Sequence, residues 1–488
     1  MSSYKIWQPL LFALVLAGGI YIGIQLGSTP GTNNIFSVRS SPFNKFNDII
    51  NFVSSEYVDT INAKMLVDKT IEDMLHSLDP HSSYIPAEDL QAVNEPLQGN
   101  FEGIGVEFHI QQDTIMVVHA VPGGPSEQLG IKAGDRIIKI DGKNVAGTGI
   151  TNQTVLQTLR GEGGTKVKVS ISRRGLNKLI DYTITRGKIP IHSVDVAYML
   201  SDKIGYVKIS QFAGPTHDEY LDAFMKLKKE GMQQLIVDLR GNGGGYLKTA
   251  IQLADEFLGK SKLVVYTKGR AKPKESYEAS PSGFFETGDL VVLIDEGSAS
   301  ASEILAGALQ DWDRAVIVGR RSFGKGLVQE QTQFADGSAM RLTVARYYTP
   351  TGRSIQKPYS EGYDAYQTEL IKRLKSGELQ NADSIKVVDS LQFKTPGGKT
   401  VFGGGGITPD VFVAIDTSDI TEWYTNISSE GILTQFVYDY VDANRATLKK
   451  YKNLNDFKTN FEVGSAVFNQ LVTKTSKAKI KNDPAQIE

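Results

Sequence analysis

No cysteine occurs in the 488-residue chain. This excludes a thiol nucleophile, structural disulfides and a lipid-modified cysteine, and it fits an oxidising compartment. Histidine is scarce, with six residues and none in HExxH-type spacing, so the sequence offers no metal site and implies no cofactor. Neither sign of charge prevails: the formal net charge is −2, and lysine and arginine form no cluster, which argues against a nucleic-acid surface. Apolar residues make up 40% and charged ones 22% of the chain, the balance of a globular protein without an extended disordered portion. A chain of this length exceeds one typical core, and two to four domains are expected.

What is present begins with an apolar run. Residues 7–26, after Lys5, include only Gln8 and Gln25 as strongly polar side chains. Twenty apolar residues suffice to span a bilayer core as a helix. Residues 1–27 therefore read as a signal-anchor. A cleaved signal peptide is the competing reading, and no clear small-x-small site precedes Gly27. Lys5 is the only charge before the run, which places the N-terminus in the cytoplasm and the body in the periplasm or outside the cell. Residues 28–41 are rich in Gly, Ser, Thr and Asn and read as a linker. Residues 42–98 form an N-terminal helical region. Ser41-Pro42 opens it as a cap and first helical position, and Phe43, Phe46, Ile49, Ile50 and Val53 recur on one face. A second helix carries Leu66, Ile71, Met74, Leu75 and Leu78 and stops at Asp79-Pro80. Packing on a catalytic core is the default for these helices, and a dimerisation arm is the alternative.

Residues 99–187 change to short alternating strands with Gly-rich turns. Small helices are expected near 122–130 and 151–159, and strands at 165–172 and 179–185. Residues 188–414 alternate strands with helical stretches, an α/β pattern. Residues 415–488 are polar and helix-like, for example over 433–441. They either pack on the core or mediate oligomerisation, and the sequence does not choose.

The chemistry concentrates in two places. In Asp295-Glu296-Gly297-Ser298-Ala299-Ser300-Ala301-Ser302-Glu303-Ile304, a serine follows the β-branched run Leu290–Ile294 and precedes a helix-periodic stretch. A serine at such a junction sits beside free N–H groups of the first helical turn, which can hold an oxyanion. Ser300 and Glu303 also have the spacing of a capping box, the bland account of both residues. Downstream, Gly324-Lys325-Gly326-Leu327-Val328-Gln329 supplies a lysine in a Gly-flanked loop. With Gly319 it nearly spells a phosphate-binding loop, but that motif needs Ser or Thr after the lysine and then a helix. Here Gly326 follows, and 327–334 is rich in Val, Thr and Gln. A lysine becomes a base only where its surroundings lower its pKa. Finally, the glycines at 241–245 fill a strand-to-helix loop between an apolar run at 235–239 and a helix-periodic stretch at 246–258. Such a loop is either a plain tight turn or a place where backbone approaches a ligand.

Ser300, Lys325 and Gln329 in this order and spacing resemble the C-terminal processing peptidases, or tail-specific proteases. The resemblance extends to Leu78-Asp79-Pro80-His81-Ser82-Ser83-Tyr84, Asp238-Leu239-Arg240-Gly241-Asn242-Gly243-Gly244-Gly245, Thr343-Val344-Ala345-Arg346-Tyr347 and Gly405-Gly406-Ile407-Thr408-Pro409-Asp410. It implies Ser300 as nucleophile, Lys325 as general base and Gln329 as the residue that holds the lysine. It implies an oxyanion hole from the N–H groups of Gly245 and Ala301, and an α/β core of the crotonase or Clp-protease type. Residues 99–187 resemble an inserted PDZ domain through Ala133-Gly134-Asp135-Arg136-Ile137-Ile138 and Ile140-Asp141-Gly142. Gly103, Ile104, Gly105 and Val106 would be its carboxylate loop, and Arg136 a reporter of peptide occupancy or an ordinary solvated charge. The alternation of Ile104, Val106 and Phe108 suggests an apolar pocket, hence protein substrates with apolar C-terminal tails. Further partners expected are the membrane, through the N-terminal helix, and a second copy or an adaptor. The six histidines, His81 included, are expected to be structural. Two other readings compete: a catalytically silent PDZ scaffold, disfavoured by the intact Ser300, Lys325 and Gln329, and an acyl-transfer or hydratase enzyme, which lacks a basic cluster for its coenzyme.

Overall fold

The computed structural model describes residues 4–26, 42–386, 389–418, 420–478 and 480. The expected linker therefore lies outside the described residues. The chain divides into two units, Met1–Ile71 and Glu72–Glu488. The first holds helices Tyr4–Leu26 and Pro42–Glu56 and the first part of helix Ala63–His76. Among the described residues no helix is long and apolar enough to cross a membrane. The membrane anchor is thus not supported by the structure.

The second unit is built on a six-stranded sheet. Its order is Val194–Met199, Ile204–Ile209, Gln234–Asp238, Leu290–Ile294, Val316–Gly319 and Val411–Phe412. The first pair is antiparallel and all later pairs are parallel. Parallel strands are covered on both faces, so they read as short apolar runs. Val207, Val237, Val292 and Ile317 are fully buried here, under helices Thr216–Lys229, Leu247–Asp255 and Ala301–Asp311. Every residue of Ala301–Asp311 is buried. Because Gln234–Asp238 and Leu290–Ile294 are adjacent and parallel, the loops leaving their C-terminal ends emerge on one edge of the sheet. These are the loop with the five-residue stretch 241–245 and the loop ending at Ser300.

A second sheet supplies the facing wall. Strand Ala339–Tyr348 pairs with Leu327–Gln333, with Leu263–Lys268 and with Ser83–Ile85. The last pairing places a short strand within the expected helical region over 42–98. A three-residue strand is too short to show a period, and its place is set by a partner more than 250 residues away.

The ribbon of Asn100–Gly103 with Gly187–Pro190 is the stem of the inserted domain. Beyond it, Val106–Gln111 is an edge strand of a sheet ordered Val106–Gln111, Thr114–Ala120, Arg136–Ile140, Lys166–Ser172, Ile180–Thr185. Its separate core includes Ile115, Val117, Ile137, Val155 and Val169. At the C-terminus, Glu422–Ser429, Ile432–Leu448 and Ser465–Lys477 form a small helical cluster around Trp423, Ile427 and Leu471. Helix Ile432–Leu448 lies on the inserted sheet. Register pairs His109 with Met116 and Met116 with Arg136. Along that ladder His109 stacks on Tyr438 with ring centroids 4.6 Å apart, and Arg136 meets Asp442 at 2.7 Å.

Candidate active site

Three serines, Ser298, Ser300 and Ser302, cluster where the loop enters helix Ala301–Asp311, and their hydroxyls have different fates. Ser298 Oγ donates to Leu239 O at 2.8 Å, and Ser302 Oγ donates to Asn242 O at 2.8 Å. Both serines are fully buried and bind this loop to the one that carries the glycines. The Ser300 hydroxyl, at the N-cap of the helix, donates to no described residue, and Ser300 lines a cavity of about 720 Å³. Its backbone has φ 55° and ψ −111°. Positive φ is uncommon outside glycine and persists where the surroundings over-determine it.

Glu303 is part of that determination. Its carboxylate is wholly buried and accepts from the Ser300 N–H at 2.8 Å and the Lys325 N–H at 2.9 Å on one oxygen. The other oxygen accepts from the Gly324 N–H at 2.7 Å and Ser322 Oγ at 2.5 Å. Burial pushes its pKa up, and these four donors oppose the rise. All four partners donate, so the ionised carboxylate fits the site. The capping-box spacing was legible. Only the fold brings the Lys325 loop, some twenty residues on, to the same carboxylate. Tyr347 adds a second tie, its buried hydroxyl 3.1 Å from Ser300 O and 2.7 Å from Lys325 O.

The glycine loop closes on the serine. A Cβ at Gly244 would lie 2.8 Å from Ser300 Cβ, and one at Gly245 only 2.1 Å from Phe212 O. With φ of 101° and 151° these two positions require glycine on both counts. The N–H groups of Gly245 and Ala301 have no hydrogen-bond partner among the described residues, and both residues line the cavity.

Lys325 lines the same cavity, and its ammonium donates to Gln329 Oε1 at 3.1 Å. After Lys325 the chain enters strand Leu327–Gln333, not the helix that a phosphate loop requires. Burial lowers the Lys325 pKa; the Arg341 charge lowers it further, while Asp79 and Glu303 act in the opposite sense. The Gln329 amide donates in turn to the His81 carbonyl. That carbonyl is placed by Asp79, which accepts from the N–H groups of His81 and Ser82 at 2.8 Å each and from Thr343 Oγ1 at 3.1 Å. The His81 ring bonds Tyr366 Oη at 2.8 Å, and burial with the Lys325 charge drops its pKa to about 3. This histidine is a neutral structural element. No hydrogen bond joins Ser300 Oγ to Lys325 Nζ among the described residues.

The inserted domain places its candidate residues unevenly. In the 103–106 loop, Ile104 O accepts from Ser126 Oγ at 2.6 Å and Gly105 O from the Val121 N–H at 3.0 Å. The N–H groups of Ile104 and Gly105 have no partner among the described residues. The Ile104 side chain is buried in the domain core, and Val106 and Phe108 pack against it. Arg136 is elsewhere. Its neighbour Ile137 enters that core, so Arg136 faces the opposite side of the sheet and pairs with Asp442 of the C-terminal cluster. The structure therefore gives Arg136 a partner in Asp442, on the face opposite Ile137, because strand alternation separates consecutive side chains.

Comparison with known proteins agrees with this layout. The profile described as peptidase family S41 matches residues 203–362, and that of the PDZ domain matches residues 116–173. Residues 423–488 match a family of unknown function. The chain is 38% identical over 342 residues to the carboxy-terminal-processing protease of Bartonella bacilliformis, covering 67% of this chain and 78% of that one. It is 35% identical over 354 residues to the carboxy-terminal processing protease CtpA of Bacillus subtilis, with 72% and 75% covered. With CtpB of the same organism the identity is 32% over 401 residues, covering 79% and 82%.

Proposed function

The chain belongs to peptidase family S41, the carboxy-terminal processing proteases, and on that premise we propose that Ser300 is its nucleophile, Lys325 the general base and Gln329 the residue that orients the lysine. The observation that carries the proposal is the Ser300 hydroxyl, which donates to no described residue and, of three neighbouring serines, is the one that lines the cavity shared with Lys325. Neutral Lys325 takes the Ser300 proton as Oγ attacks the scissile carbonyl carbon. The resulting oxyanion receives the free N–H groups of Gly245 and Ala301, and loss of one such donor typically costs about 3–4 kcal/mol of barrier. The tetrahedral intermediate collapses, the leaving amine takes the proton from Lys325, and water then hydrolyses the acyl-enzyme with Lys325 again as base. Hydrogen bonds between nucleophile and base often tighten only when substrate binds, which fits the open Ser300–Lys325 pair. An unfolded protein should be cut by the wild-type chain and left intact by Ser300→Ala. Equal cleavage by both would remove the serine assignment, and cleavage by neither would favour the silent scaffold.

Substrates are chosen, in this proposal, through the PDZ domain. The tail adds a strand beside Val106–Gln111, whose edge position leaves backbone groups for pairing. The N–H groups of Ile104 and Gly105 meet the terminal carboxylate, with Gly103 and Val106 framing the loop. A free apolar tail should be processed several-fold faster than an amidated tail or one ending in aspartate, since charge-assisted hydrogen bonds contribute ~1.5–3 kcal/mol. Rates measured side by side on one unfolded substrate check this. Equal rates for the three would sink tail selection and leave the serine chemistry untouched. The proposal extends to location, an extracytoplasmic catalytic part, with the apolar run at 7–26 after Lys5 read as an export signal.

A further inference from the structure

The charged side chains that line the catalytic cavity are Lys325, Glu330 and Arg341. Glu330 is already paired, its Oε1 2.8 Å from Lys272 Nζ. Lys325 must be neutral to act as a base. Arg341 is therefore the standing positive charge of the cavity, because a guanidinium does not deprotonate. Its surroundings hold it without neutralising it. Nε donates to Gln331 Oε1 at 2.9 Å and Nη2 to Asn94 Oδ1 at 3.0 Å, both neutral amides. Nη1 has no hydrogen bond, and no carboxylate lies within ion-pair distance, among the described residues. Other arginines near the core differ: Arg320, Arg321, Arg353 and Arg373 each meet a carboxylate at 2.6–2.9 Å.

Register places Arg341 on the working wall. It lies opposite Gln331 on one side and Ser83 on the other, two residues before Thr343, which lies opposite Gln329. Directly paired residues share a face of a sheet, so Gln329 and Arg341 face the same way. A half-buried guanidinium, pre-oriented by two amides and lacking a counter-charge, is built to receive an anion, and the fork geometry matches a carboxylate.

We propose that Arg341 forms a carboxylate-binding subsite in the peptidase cavity, engaging either an acidic side chain or the free terminal carboxylate of the polypeptide being cut. This rests on the peptidase reading above and adds a specificity determinant distinct from the PDZ domain.

Binding to the Ser300→Ala protein, followed by fluorescence anisotropy, tests it. One arm uses amidated peptides that differ only by Glu or Gln at each successive position. The other compares a free with an amidated terminus. One Glu/Gln pair, or the free/amidated pair, should differ by roughly tenfold or more. Adding Arg341→Gln should bring a Glu/Gln ratio close to one, or cut the free/amidated ratio to the several-fold that the PDZ domain contributes, and high salt should shrink the Arg341-dependent part. The arm that responds names the source of the carboxylate. Absence of any carboxylate preference in the Arg341-bearing protein overturns the proposal without need of the variant. So does a preference that a folded Arg341→Gln variant retains undiminished. Turnover by the wild-type protein keeps the two ideas apart. Cleavage without a carboxylate preference sinks the subsite alone, and preference in binding without cleavage sinks the nucleophile assignment alone.

Discussion

Lys325→Arg is expected to lower kcat by roughly 10²–10⁴-fold, the contribution of a positioned general base, while the protein stays folded. Arginine retains the positive charge and much of the length but has no accessible neutral form. The same chemistry sets the pH profile of the native protein. Only unprotonated Lys325 has a lone pair for the Ser300 proton, so kcat/KM should climb as pH rises through the lysine pKa. Burial and the Arg341 charge hold that value below the ordinary lysine range, against the opposing pull of Asp79 and Glu303. The midpoint should thus fall clearly below the ~10.4 of free lysine. Removing the Arg341 charge should move it upward. Steady-state rates across pH for wild type, Lys325→Arg and Arg341→Gln check the set. Near-normal turnover by Lys325→Arg would rule out lysine as the base.

Glu303→Gln should be nearly as damaging, for a different reason. The substitution turns one acceptor oxygen into an NH₂ that faces donors. It leaves either the Ser300 and Lys325 N–H groups or the Gly324 N–H and Ser322 hydroxyl without an acceptor. Each buried donor left unmet costs about 1–3 kcal/mol, so roughly 2–6 kcal/mol of stability should be lost. Activity should fall together with stability, since the Ser300 and Lys325 loops lose their shared anchor. A helix cap alone contributes ~1 kcal/mol and would leave turnover unchanged. Thermal unfolding and kcat measured on one preparation decide between the two roles.

Sequence order and composition determined much of this protein locally. Short β-branched runs such as Leu290–Ile294 and Gln234–Asp238 are strands in the structure, and the periodic stretch after Glu303 lies in helix Ala301–Asp311. These follow from the period of side-chain placement along a chain, which neighbouring residues alone express. The motifs around Ser300, Lys325 and the glycines were equally legible, because each needs only a few consecutive residues.

What tertiary structure decided involves pairs far apart in sequence. Parallel strand order brings Ser298 and Ser302 onto the glycine loop some sixty residues away and so singles out Ser300. A three-residue strand at Ser83–Ile85 carries the His81 carbonyl to Gln329 across 248 positions. Helix Ile432–Leu448, whose packing partner the sequence left open, lies on the PDZ sheet and takes Arg136 through Asp442. No local period encodes such meetings. They depend on which strand ends share a sheet edge and which face a side chain takes, and only the complete chain topology sets both.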